Sequence, residues 1–121
     1  MSLCVIAGAG IIRIATAAFT LTWIHSIEKT RWEEDWRVEA ATIRPVEARI
    51  ESMGAGMEMP ADARFDGVWW RWTPAIGALP EVLLRRSDSQ PQGWRLCAEG
   101  VCRPIADSAE TADVVALRPC E

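Results

Sequence analysis

The sequence contains no tyrosine, only two phenylalanines and a single histidine. No apolar stretch approaches the ~20 residues of a membrane-spanning helix, so no transmembrane segment is expected. One histidine and four cysteines without a paired C-x-x-C exclude the usual zinc frameworks, and no residue pattern calls for a metal or a cofactor. An excess of positive charge is missing too. Thirteen basic side chains face seventeen acidic ones, a net charge of -4, which argues against nucleic acid as a partner. Internal repeats and flexible linkers are absent, and 121 residues make one domain, 1–121.

Half the residues are apolar and a quarter charged, a globular composition. Seven tryptophans supply nearly all the aromatic surface. A small domain buries little of its chain, so large rings are an efficient core filler. The alternatives are a sugar-stacking surface or a partner interface. Short apolar or alternating runs recur every ~8–12 residues between Gly, Pro, Asp and Ser, the pattern of an all-β fold. The expectation is a small antiparallel β-sandwich or partly closed barrel of ~8–10 short strands. The strand candidates are Leu3–Ala7, Ile11–Ala15, Ala18–Ile27, Glu34–Ala40, Thr42–Ile50, Gly67–Trp72, Glu81–Arg85, Gly93–Ala98, Val101–Ile105 and Val114–Leu117. Gly8-Ala9-Gly10 reads as a turn, and Ala106–Ala112 as a polar loop or single helical turn.

Leu3–Ile12 is long enough for the apolar region of an export signal, but no Lys or Arg precedes it. Its isoleucines and valine favour an integral first strand. Four cysteines in a short chain pull the other way, towards an oxidising compartment such as the periplasm or cell envelope. The localisation stays open between that and the cytoplasm.

Two polar groups fall on apolar faces. Phe19, Leu21, Trp23, His25 and Ile27 share one side of an alternating segment; Glu34, Trp36, Val38 and Ala40 share one side of the next. A hairpin closed by Glu28–Glu33, with Ile27 opposite Glu34, makes His25 and Glu34 diagonal neighbours. A buried carboxylate needs a partner, and the imidazole is the nearest donor. Such a pair either fixes strand register or lines a binding or proton-transfer pocket. Simple alternation of Val46, Ala48 and Ile50 sends Glu47 outward. Gly54-Ala55-Gly56 fits a tight turn or an anion-cradling nest, and Met57 and Met59 read as core filler. Trp69 is the best candidate for an exposed aromatic, stacked by an arginine. Arg85 and Arg86 read as solvated surface.

Leu96–Cys102 reads as a hairpin with a Glu99-Gly100 turn, which sets Cys97 opposite Cys102 at a spacing that permits a disulfide. Cys4 and Cys120, near opposite termini, are open to a second bridge.

The run Phe19–Thr30, then Trp32–Glu39, Val46-Glu47-Ala48-Arg49, Gly54-Ala55-Gly56-Met57-Glu58 and Leu96-Cys97…Cys102 resembles the bacterial domain of unknown function 1850 family over about residues 3–120. The resemblance matches the family's aromatic-x-His-Ser run, two downstream glutamates and Gly-Ala-Gly to Trp23, His25, Ser26, Glu34, Glu47, Gly54, Ala55 and Gly56. It departs at Ile24, where a Thr is frequent. It implies an accessory or binding module beside a TAXI-type tripartite ATP-independent periplasmic (TRAP) transporter, with transporter components as partners. It also recruits Glu47, which a β-bulge near Pro45 would re-aim. The site expected from both lines is His25, Ser26, Glu34, Glu47, Gly54 and Gly56, taking a small cationic or carboxylate ligand, with no catalytic residue assigned. An enzyme using a His25–Glu34 acid/base pair, or a carbohydrate-binding module using Trp69, Trp94 and Trp32, are the alternatives.

Overall fold

The computed structural model describes residues 1–24, 30–51, 60–85, 93–105 and 114–120, and the regular elements among them are all strands. Among the described residues, eleven antiparallel strands form two sheets. The smaller contains β1 (Ser2–Ala7), β2 (Gly10–Ala15), β8 (Val82–Arg85) and β11 (Val114–Cys120), in the order β2-β1-β11-β8. The larger contains β3 (Ala18–Ile24), β4 (Arg31–Val38), β5 (Ile43–Ile50), β6 (Arg64–Phe65), β7 (Trp70–Trp72), β9 (Trp94–Ala98) and β10 (Val101–Ile105). Its order is β10-β9-β3-β4-β5-β7-β6. The sheets are separate and open-edged, so the arrangement is a sandwich and the partly closed barrel is set aside. The strand beyond the expected ten is β6.

The core lies between the sheets because each strand offers one apolar face to the other sheet. Leu3, Val5, Val115 and Leu117 from the smaller sheet meet Phe19, Leu21, Trp36, Val38, Ile43 and Leu96 from the larger. Packing accounts for the first part of the apolar run Leu3–Ile12: Leu3 and Val5 are buried between β2 and β11, whereas Ile11 and Ile12 are exposed. Gly8, at a φ of 60°, opens the two-residue turn into β2, a conformation that glycine adopts without strain.

The hairpin β9–β10 follows its expected register, with Ala98 opposite Val101 and Cys97 opposite Cys102. Glu99 and Gly100 take φ of 53° and 79°, the positive values a two-residue turn demands. Cys97 and Cys102 are bonded, their Cα atoms 4.0 Å apart. Cys4 and Cys120 are bonded as well, at 5.8 Å, which ties β1 to β11 near the ends of the chain.

One register differs from expectation. Leu21, not Ile27, stands opposite Glu34, and Trp23 stands opposite Trp32. The expected loop absorbed Arg31–Glu33, which belong to β4. Extending β4 back to Trp32 pairs two indoles across the strands, 5.8 Å apart and nearly parallel, a contact worth ~0.5–1 kcal/mol beyond burial. The displacement is even, so each side chain stays on its own face. Glu34 still points inward, but its diagonal neighbours on β3 are Phe19 and Trp23 rather than His25.

The expected bulge is present. Asp35 pairs with Glu47 and Trp36 with Pro45, which leaves Val46 as the extra residue. Pro45 lacks the N–H that a regular ladder would use, so a bulge suits it. The extra residue lets Ile43 and Pro45 face the core before it and Ala48 and Ile50 after it. Glu47 consequently remains on the outer face, as alternation placed it.

Candidate functional site

The inner face of the larger sheet carries two adjacent rows of side chains. One runs Leu96, Leu21, Glu34, Ala48, Trp72 across β9, β3, β4, β5 and β7. The next runs Trp94, Trp23, Trp32, Ile50, Trp70, and its indoles touch: Trp23 to Trp94 at 4.4 Å, Trp23 to Trp32 at 5.8 Å. Trp32 also meets Trp72 edge-on at 6.5 Å. Glu34 thus stands between Trp32 and Trp36 along its own strand, with a leucine and an alanine on either side.

This carboxylate is the chemically distinctive group of the face. Trp36 Nε1 donates to Glu34 Oε1 at 3.3 Å, and no cation among the described residues pairs with it. Burial pushes the Glu34 carboxyl above its ordinary value, and the single indole hydrogen bond opposes that only in part. Trp32 Nε1, two residues away on the same face, is buried without an acceptor. A half-buried acid flanked by indole faces can attract a positive group through both its charge and the ring quadrupoles.

The opposite face is arranged differently. Arg49 sits at the centre of a cluster, its side chain 13 % exposed. It bonds Glu33 at 2.8 Å, Asp35 at 2.8 Å and Glu47 at 3.0 Å. Arg71 bridges Glu47 to Asp66, and Thr20 donates to Asp35 at 2.7 Å. The strand pairing explains the cluster, since Glu33 lies opposite Arg49 and Arg49 opposite Arg71. Partial burial would raise the Asp35 carboxyl, but the Arg49 guanidinium and the Thr20 hydroxyl outweigh it and hold it low. Asp66 accepts from the backbone N–H groups of Trp69 and Val68 and from Arg71. Those bonds lower its carboxyl to about 2.

The expected site residues are therefore divided. Glu34 and Glu47 occupy opposite faces of one sheet. His25, Ser26, Gly54 and Gly56, with Ala55, Met57, Met59, Arg86 and Ala106–Ala112, lie outside the described residues. Trp69 is half-buried rather than exposed, because Arg49 covers it: the arginine Cζ lies over its ring, 5.7 Å from the centre. Trp32 and Trp94 are half-buried among other indoles, not displayed as a flat platform. Among the described residues, no group of three or more His, Cys, Asp or Glu is disposed to hold a metal, and no helix is long and apolar enough to cross a membrane.

The sequence pattern does not bring Trp32 and Trp72 beside Glu34: it reads Trp32 as loop, and Trp72 arrives only through the pairing of β7 with β5. The arginine cluster is missed too, although the spacing of Glu47 and Arg49 already puts those two charges on one side of β5.

Residues 19–105 match the family described as Domain of unknown function (DUF1850), which is most of the chain, and the protein belongs to that family. The matched span begins at Phe19 in β3 and ends at Ile105 in β10, so it contains all of the larger sheet except Ala18. No curated protein and no solved structure matches the chain.

Proposed function

We propose that this member of the DUF1850 family is a non-catalytic binding module for a small organic cation, with Glu34 as the counter-ion. The observation that carries the reading is the Glu34 carboxylate on a tryptophan-flanked inner face, with Trp36 Nε1 as its sole hydrogen-bond donor among the described residues. A bare carboxylate in such surroundings is costly. An ammonium group offsets that cost and gains cation–π attraction from the adjacent indoles. A carboxylate ligand would meet Glu34 as a like charge, so an amine is the better match.

We propose further, on what the family resemblance implies, that such a module serves beside a TAXI-type TRAP transporter. Co-purification with transporter subunits tests that association separately from ligand binding.

The ligand reading is tested by calorimetric titration with tetramethylammonium and benzylamine against their neutral isosteres, neopentane-type alcohols and benzyl alcohol. Cations should bind more tightly. Glu34→Gln should weaken them about tenfold or more, the scale of one lost charge-assisted contact. Binding should strengthen as pH rises through the elevated Glu34 value, since only the ionised acid attracts the ligand. Equal binding of cation and neutral isostere would refute the proposal.

A further inference from the structure

The sandwich is open along the side where the edge strand of one sheet faces the edge strand of the other. There β2 and β10 border a cleft of about 310 Å³, lined by Val5, Gly10, Ile12, Pro104, Ile105 and Val115. The volume lies at the lower end of small-ligand pockets. Ile12, on the mouth, is 46 % exposed and Ile11 beside it 65 % exposed, so apolar surface continues outward from the cleft.

Arg103 is the second observation. It pairs with Leu96, a fully buried core residue, and so shares the inward face of β10 with Ile105, two residues on. Its Nε is buried and has no hydrogen-bond acceptor, and it forms no ion pair with a described residue. Arginine stays charged at any accessible pH. A buried donor of a charged group left unsatisfied carries a desolvation cost. Arg103 is not itself part of the lining and adjoins it through Ile105 on the same face of β10; an anion seated there would remove that cost.

We propose that the cleft binds a medium-chain alkyl carboxylate, its tail between β2 and β10 and its head on Arg103. The lining is almost wholly apolar, which suits methylenes. An extended peptide would need main-chain partners on both sides, and Pro104 removes one from the β10 edge. The cleft lies at the β10 edge of the same inner face, its lining does not include Glu34, and its charge preference is the opposite.

The test is calorimetric titration of the full chain with hexanoate, octanoate and decanoate, beside the matching 1-alkanols, all below their micelle concentrations. Affinity of the carboxylates should rise roughly fourfold per added methylene until the cleft is full. Arg103→Met, which keeps the apolar stem, should weaken decanoate about tenfold and leave decanol unchanged. Ile12→Asn, at the exposed mouth, should weaken both. Carboxylates and alkanols binding alike, affinity indifferent to chain length, or no binding at all would each overturn the proposal. So would a homodimer that Ile11→Lys dissociates and decanoate does not, because the cleft would then belong to a second copy.

Discussion

The two faces of the seven-stranded sheet solve the problem of charge in opposite ways. On the outer face Glu33, Asp35 and Glu47 converge on Arg49, and Arg71 continues the chain to Asp66. On the inner face Glu34 stands among tryptophans with a single indole donor among the described residues. The residues concerned are consecutive on β4: Glu33 and Asp35 have ion-pair partners, and Glu34 between them has none among the described residues. Alternation along one strand thus separates a cluster that satisfies itself from an acid that has spare capacity. Self-satisfied networks hold structure, whereas unspent charge on an apolar face is where a ligand finds purchase.

The largest effect should come from breaking the outer cluster. Arg49→Met leaves three acids facing one another without their common cation. A fully buried ion pair costs ~3–5 kcal/mol when one partner is removed. The acids here are partly solvated, side chains 20–36 % exposed, so about 2 kcal/mol is expected. Urea denaturation at neutral pH measures it, and the loss should shrink in high salt for a different reason: repulsion among the orphaned acids is screened. An unchanged midpoint would erase the contrast between the faces.

Trp36→Phe attacks the inner face. It keeps most of the ring volume and removes the donor to Glu34, leaving the carboxylate without its indole bond. A loss of about 1–2 kcal/mol is expected at pH 7, and a smaller one at pH 4, where the acid is largely neutral. A loss independent of pH would assign the effect to packing alone, including the 6.0 Å contact with Phe19.

The fold was legible in the sequence because period-two alternation survives small errors in strand ends. Ten strands and the Glu99-Gly100 turn follow from local pattern, and so does the inward aim of Glu34. What the pattern lacked was the position of one loop. Trp32 follows Arg31 and precedes three acids, so the pattern reads it as connection and misplaces the β3–β4 register with it. Because the displacement was even, Glu34 kept its face while losing His25 as the diagonal neighbour. The Arg49 cluster required a different kind of knowledge. Arg49, Glu33 and Arg71 are distant in sequence and meet only once β4, β5 and β7 are ordered side by side. Arg103 was hidden for a third reason: an arginine at an edge strand is ordinary in sequence, and only burial of its Nε makes it informative.

The remaining two substitutions compare neighbours on β4 by the sign of their response to pH. Glu34 has a raised value in the folded chain. Its contribution is fully present below the ordinary value of 4.5 and is lost as pH rises through the folded value. Glu34→Gln removes that loss, so the variant should gain up to ~1 kcal/mol over the parent at pH 8, with the gap closing towards pH 4. Asp35 is lowered, so its contribution is present above the ordinary value of 3.8 and disappears as pH falls through the folded value. Asp35→Asn should therefore cost stability at pH 7, by under ~1 kcal/mol because the carboxylate is partly solvated, and cost progressively less in acid. Thermal unfolding from pH 3 to 8 resolves the two as curves of opposite slope. If both variants tilted the same way, the acids would share one environment, and Glu34 would hold no unspent charge for a ligand.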